Sequence, residues 1–500
     1  MKKAKVFVGK DVIELVGNAM YLDPLTVYRE YIQNSVDSID EAIKKGLLGG
    51  PNDGRIEINI DMANRRIVIR DNGIGITKEE FERRMTSIGG SAKRRTSARG
   101  FRGVGRLAGL GFCQNLIFRS RAPGDAVCEQ VWDVRKIKSA LAEFQGEGDI
   151  GQLIADVTES RTIDGEDYPD HFFEVEMKSP LRLGQDLLMN FEKVRSYVGQ
   201  VAPVPFSQTF SYAGEVRDYL EKHVDFREYP IFLNDDMGQI FKPYEDSFDY
   251  SEFKSGKLAK LELFQLSSLD GGNGAVGWVA HHDYQGAIPK SAGVGGLRAR
   301  VGNMQIGERN VFVDVFPEER FNSWTIGEVH TFDGRLIPNG RRDGFEHGNH
   351  LTNLKSQLLP VGHAIAQHCR RESSIRNQSK RVELALMHAE AIGEMLDQNA
   401  ITKSAAKIKI SEARGKLAEA KAAFDPGIFA SNGNGDLAKK LDDLEERFSA
   451  GNDVSNGSGP LDHLPKAKRT AYLEIFDLIY ACSNNQQNAR RLIDSILTRL

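Results

Sequence analysis

Residues 28–42 read YREYIQNSVDSIDEA. Ile32, Val36, Ile39 and Ile43 recur at three- and four-residue spacing, which predicts a helix with one face turned to a core. Glu30, Asn34 and Asp37 are spaced by four and three, so they share roughly the opposite face. That face offers hard oxygen atoms. The neutral oxygen of Asn34 suits Mg2+, which prefers oxygen ligands, phosphate and water. Glu30, one turn earlier, can hold or deprotonate a water molecule. Asp37, one turn later, is better suited to supporting the face. For this helix taken alone, a solvated polar face is the plain alternative.

The stretch downstream, GRIEINIDMANRRIVIRDNG at 54–73, alternates apolar and polar residues on both sides of MANR. The pattern predicts a hairpin whose second strand runs from Arg66 to Asp71. Asp71 then stands where a hydrophobic strand meets a glycine turn. Gly73 and Gly75 allow a tight turn and the close approach of a flat ligand. A carboxylate at such a strand end can accept a hydrogen bond from an exocyclic amine. The alternative is a type I′ hairpin turn at Asn72 and Gly73. TKEEFERRMTSIG at 77–89 has helical periodicity with Thr77 as N-cap.

GGSAKRRTSARGFRGVGRLAGLG at 89–111 is dense in glycine and carries Lys93, Arg94, Arg95, Arg99, Arg102 and Arg106. It is expected to be a mobile loop leading into a helix. Successive backbone N–H groups at that helix start would form an anion nest. No Walker pattern is present. Leu116–Val134 and Phe172–Met177 are expected to be strands. VAPVPF at 201–206 reads as a stiff exit from a first domain, residues 1–206. Alternation broken by glycine turns then predicts a second α/β domain at 207–348. Residues 349–425 are expected to be helical and 426–460 a flexible linker region. Residues 461–500 are expected to be an apolar helical segment that needs a partner.

At 500 residues the chain is too long for one ordinary core. The net charge of -4 argues against a whole-protein polyanion binder. No apolar run is long enough to cross a bilayer, and the N-terminal MKKAKVFVGKDVIEL breaks into charges before a signal core forms. The cysteines at 113, 128, 369 and 482 lack CxxC spacing. They read as reduced thiols of a cytoplasmic protein.

The order of these signals is ExxxNxxD on a helix, a strand ending in DNGIG, a helix, then a glycine-rich basic loop. It resembles the GHKL ATPase superfamily of DNA gyrase B, HtpG-type heat-shock chaperones, histidine kinases and MutL. The resemblance covers about the first 210 residues, a domain-sized span. It implies an α/β fold (α+β) with a Bergerat-type two-layer ATP-binding sandwich, a second α/β middle domain and a helical C-terminal region. It further implies that Glu30 is the general base, Asn34 the Mg2+ ligand and Asp71 the acceptor for the adenine amine. Gly73 and Gly75 lie beside the base, and Asp37 supports the site. Ser91, Lys93, Gly100, Gly103, Val104 and Gly105 belong to the loop and lid that cover the phosphates of ATP.

The HtpG-type chaperone branch fits best. LIPNGRRDGFE, Leu336 to Glu346, resembles a middle-domain loop whose arginine reaches the γ-phosphate. Asn339, Arg342 and Asp343 match it, with Arg341 as the alternative register. One departure is His171 and Phe172, standing where the chaperones carry a Gly-Thr pair at the back of the adenine pocket. A histidine kinase would need its phospho-acceptor histidine before the ATP domain, whereas His388 follows both domains. The resemblance implies an ATPase working as a homodimeric clamp on an unidentified protein client or nucleoprotein complex. A MutL- or topoisomerase-like DNA-associated ATPase and a nucleotide-gated scaffold are the alternatives. Whether the chain touches DNA directly is open from the sequence.

Overall fold

The computed structural model describes residues 23–87, 105–142, 150–422, 435–449, 459–483 and 485–500. The fold is mixed α/β, with two sheets and a helical C-terminal part. It divides into two compact units, residues 1–367 and 368–500.

The first sheet is built from β1 (Ile56–Asp61), β2 (Arg66–Asp71), β3 (Asn115–Arg121), β4 (Val127–Asp133), β5 (Thr158–Ile163), β6 (Phe172–Lys178) and β7 (Ile231–Leu233). Their order is β5-β4-β3-β6-β2-β1-β7, with only the β1–β7 pair parallel. Helix α1 (Thr26–Lys44) packs on it. Alternation decides which side chains meet the helix. Ile56, Ile58 and Ile60 of β1 and Ile67 and Ile69 of β2 join one core with Val27, Ile32, Val36 and Ile39 of α1. Asp71 is the next position on that same face, and it is 1% exposed. On the other face, Arg119 bridges Glu174 at 2.7 Å, Glu176 at 2.6 Å and Glu129 at 2.7 Å, so a ladder of ion pairs covers the sheet.

The hairpin, the helix α2 (Lys78–Thr86) after Thr77, and the strands β3, β4 and β6 lie where the sequence patterns put them. The segment Gly105–Gly111 forms a 3₁₀ turn and not an α-helix. Three glycines in seven residues disfavour a longer α-helix. The VAPVPF segment is tied to the chain that follows it. Its Pro203 and Pro205 carbonyls accept from the N–H groups of Tyr229 and Lys242, and the chain returns to add β7 beyond residue 206.

The second sheet contains β8 (Ser247–Ser251), β9 (Lys254–Ser267), β10 (Asn273–His282), β11 (Gly296–Val301), β12 (Met304–Ile306) and β13 (Ile326–Thr331). Its order is β12-β11-β13-β10-β9-β8, with β11 and β13 parallel. Glu328 of β13 is fully buried. It pairs with Arg300, accepts from Tyr244 Oη at 2.9 Å, and lies 3.5 Å from Lys242 Nζ and 3.0 Å from His330 Nε2. Arg300 Nη2 also donates to Gln200 O at 2.8 Å, and Asn303 Nδ2 to Arg227 O at 2.8 Å. Gln200 lies in helix α3 (Phe191–Val201), which packs into the first sheet's core through Val194 and Val198. This buried polar cluster therefore ties the two sheets together.

The last helices are α4 (Asn349–Asp397), α5 (Lys403–Ala422), α6 (Gly435–Ser449), α7 (Lys466–Cys482) and α8 (Gln486–Leu497). Within the expected linker 426–460, α6 buries Leu441 and Phe448 against Val382, Leu386 and Leu417 of the second unit. The terminal helices do not lack a core in their own chain: Phe476, Tyr480, Ala489 and Ile493 pack with Met395, Ala400 and Leu461. Ile475, Leu478 and Leu492 remain exposed.

The Glu328 cluster supplies a stability prediction. Glu328→Ala leaves Arg300 buried without its carboxylate, and breaking such a pair costs about 3–5 kcal/mol. Chemical denaturation should show that loss, and an unchanged midpoint would remove the cluster as a brace.

Candidate active site

Helix α1 is buried on nearly every side. The sheet covers one side, and the 105–111 turn and residues 341 and 342 meet the other. Glu30 is 5% exposed and Asp37 8%, so neither stands on a solvated face. Asn34 is half-buried. Glu30 Oε1 lies 3.6 Å from Arg29 Nη2 and 3.5 Å from Arg342 Nε. A β-carbon on Gly105 would run into the tip of the Glu30 carboxylate, so glycine allows this close approach with the carboxylate in place. The turn is anchored by Gly109 N–H, which donates to Tyr31 Oη at 2.8 Å.

Arg342 has a left-handed backbone, φ 56. The loop around it is closed by the bridge between Pro338 and Phe345 and by Asn339 Nδ2 donating to Asp343 Oδ1 at 2.6 Å. Arg29 donates to the carbonyls of Arg341 at 3.3 Å and Arg342 at 3.4 Å. Of the two arginines, Arg342 turns its guanidinium to Glu30, while Arg341 is exposed.

Asp71 lies under the same helix. Its Oδ1 accepts from Gly73 N–H at 2.9 Å, and its Oδ2 is buried with no hydrogen-bond partner among the described residues. Burial pushes the carboxyl up to about 7, against the lowering effect of Ser35, the Gly73 N–H, Ser38 and the Phe173 N–H. A buried acceptor in this state fits an amine donor from a ligand. Asn72 is not in a hairpin turn. Its side chain is pinned to the Arg55 N–H at 2.7 Å and the Asp53 carbonyl at 2.9 Å.

The reason for the two glycines also differs from expectation. A β-carbon on Gly73 would strike Ser38, and one on Gly75, at φ +70, would strike the Arg121 carbonyl. Protein atoms, not a ligand, demand glycine there. His171 Nδ1 donates to Gly73 O at 2.8 Å, and Phe173 faces Asp71 across the strand pair. The departure from the Gly-Thr pair therefore lies directly beside Asp71. Ser91, Lys93, Gly100, Gly103 and Val104 lie outside the described residues.

Sequence reading did not single out Arg29, Tyr31, Ser35 or Ser38. Arg29 carries no local signal, because its carbonyl partners lie 312 and 313 residues away. Ser35 and Ser38 are one turn apart on α1, a spacing that marks a shared small polar patch.

The raised Asp71 carboxyl generates a paired prediction. Its proton is bound more tightly in the folded than in the unfolded chain, so the stability it contributes below pH 4 is lost as pH rises to about 7. Asp71→Asn should therefore raise the ligand-free Tm, more at pH 8 than at pH 5. If Asp71 accepts from the adenine amine, as the resemblance implies, the same substitution should weaken ATP binding by about 1–3 kcal/mol, because an amide donor would then face that amine. Calorimetry with unchanged ATP affinity would remove Asp71 as the base reader.

Comparison with known proteins agrees with this geometry. Residues 24–153 match the family model described as histidine kinase-, DNA gyrase B-, and HSP90-like ATPase. The chain is 34% identical over 87 residues to the chaperone protein HtpG of Methylorubrum populi, covering 17% of this chain and 14% of that protein. It is 34% identical over 85 residues to HtpG of Bacillus licheniformis, covering 16% and 14%. With HtpG of Klebsiella pneumoniae it shares 24% identity over 208 residues, covering 38% and 30%. The chain thus spans between 14% and 30% of the length of these curated relatives. Residues 24–153, which carry Glu30 on the buried helix and Asp71 beneath it, are therefore similar to histidine kinase-, DNA gyrase B- and HSP90-like ATPases, and among curated proteins to HtpG chaperones.

Proposed function

We propose that the chain is a cytoplasmic ATPase that binds ATP with Mg2+ and uses hydrolysis to drive a homodimeric, chaperone-like clamp. The observation that carries this reading is the Arg342 guanidinium 3.5 Å from the Glu30 carboxylate. An arginine from the second sheet's region thereby meets the side chain suited to activating water.

Asp71 would accept from the adenine amine through its unpartnered Oδ2. Asn34 would hold Mg2+ through its amide oxygen, with phosphate and water completing the shell. Among the described residues, no cluster of three His, Cys, Asp or Glu side chains could hold a metal by itself. That suits an ion that arrives with the nucleotide. Bound Mg2+ would neutralise charge on the phosphate oxygens. Glu30 would take the proton of the attacking water, and Arg342 would stabilise charge on the transferring phosphoryl group. Asp37 would support the helix face, and Gly105 would continue a lid formed with Ser91, Lys93, Gly100, Gly103 and Val104.

The client would be a protein or a nucleoprotein complex. Support for a chaperone-like role comes from relatives named as chaperones. Support for self-association comes from the exposed Ile475, Leu478 and Leu492 on the terminal helices, apolar side chains of the kind that interfaces cover. Among the described residues, no helix is long and apolar enough to cross a membrane.

Glu30→Ala should lower steady-state ATP hydrolysis by roughly 10²–10⁴ while ATP binding persists. Turnover within a few-fold of the parent would show that Glu30 is not the base. Arg342→Ala should keep ATP affinity and reduce hydrolysis, with arginine fingers elsewhere, at about 10³–10⁵, as an upper guide. Arg341→Ala should have the smaller effect, since its side chain is exposed. Equal and mild losses from both would reduce the loop to a surface turn.

A further inference from the structure

Arg106 follows Gly105, whose α-carbon packs against the Glu30 carboxylate. Its backbone is fixed there, because Leu107, Ala108 and Leu110 are buried in the core that includes α1, and Gly109 is bonded to Tyr31. The side chain is not compensated in the same way. Nε and Nη2 of Arg106 are buried and have no hydrogen-bond partner among the described residues. Burial draws its pKa down to about 10, and among the described residues no acidic side chain offsets that effect. Other sheltered arginines of this unit have oxygen partners: Arg119 has three carboxylates, Arg65 has Asp186 and Arg300 has Glu328, while Arg298 donates to Gln200, Gln305 and the Gly293 carbonyl.

A desolvated cation without a counter-ion is costly, and folded proteins pair such charges or neutralise them. A guanidinium presents parallel N–H donors that match two oxygens of a phosphate. We propose that Arg106 is a phosphate-binding residue of this site, holding an oxygen of the nucleotide's phosphate chain with the donors that have no partner among the described residues. This inference rests on the ATP-binding reading above. It assigns to a side chain a task that the glycine-rich segment was expected to perform through backbone N–H groups.

The test uses the full chain with Arg106→Met and Arg106→Lys, titrated calorimetrically with ATP, ADP and adenosine. A charge-assisted bond to phosphate predicts that R106M binds ATP and ADP about 10- to 100-fold more weakly and adenosine as the parent does. R106K should recover part of the loss. Without nucleotide, R106M should melt no lower than the parent, since it removes an unpaired buried charge. Wild-type ATP affinity in R106M overturns the proposal. So does an equal loss for adenosine, or a lower ligand-free Tm, because either marks a structural brace. A parent that binds neither ATP nor ADP overturns the ATP reading itself, and inorganic phosphate then decides the assignment. A phosphate-dependent rise in Tm that R106M lacks supports it, and an equal rise in both proteins overturns it.

Discussion

A carboxylate buried to 5% exposure needs charge close by, and Glu30 has it from Arg29 and Arg342. This requirement reaches far beyond α1. Arg342 comes from a loop of the second sheet's region, where its backbone is left-handed. Arg29 serves both partners, lying beside the carboxylate and donating to the loop's carbonyls.

The position of the loop depends in turn on how the two sheets are braced. Asp40, on α1 beyond Asp37, accepts from Arg227 Nη1 at 3.1 Å and from Tyr229 Oη. The Arg227 carbonyl accepts from Asn303, and Asn303 Oδ1 accepts from Lys242, which faces Glu328. A chain of polar contacts thus runs from the helix that carries Glu30 to the buried centre of the second sheet. Burial pulls Lys242 down to about 7, Arg300 adds to that effect by repulsion, and Glu328 and Glu228 offset it only in part. A buried cluster of this kind fixes one arrangement, since a shifted sheet would leave charges unpaired.

Much of the first domain was legible locally. The hairpin, the strand ending at Asp71 and the helix after Thr77 follow from periodicity and capping, which act over a few residues. The extra strands β5 and β7 were not legible. β5 is mostly exposed and lacks clear apolar alternation, and β7 has only three residues. The 3₁₀ turn after the glycine-rich segment is an effect of glycine content that a helical periodicity conceals. The terminal helices were expected to need an outside partner because their apolar residues had no nearby match. Their core partners Met395 and Ala400 lie at least 60 sequence positions before them, roughly beyond what local patterns can relate.

The sequence by itself determined that Glu30, Asn34 and Asp37 align on one helix, and that Asp71 ends a strand before a glycine turn. Those are consequences of periods near 3.6 and 2, which every helix and strand obeys. Only the tertiary structure decided what surrounds them. It turned the expected polar face of α1 into a buried one, made Gly73 and Gly75 necessary through Ser38 and the Arg121 carbonyl, and selected Arg342 over Arg341 for Glu30. It also left Arg106 without a counter-ion among the described residues. The physical reason is that desolvation and ion pairing depend on which distant segments close over a side chain, and residue spacing carries no record of that.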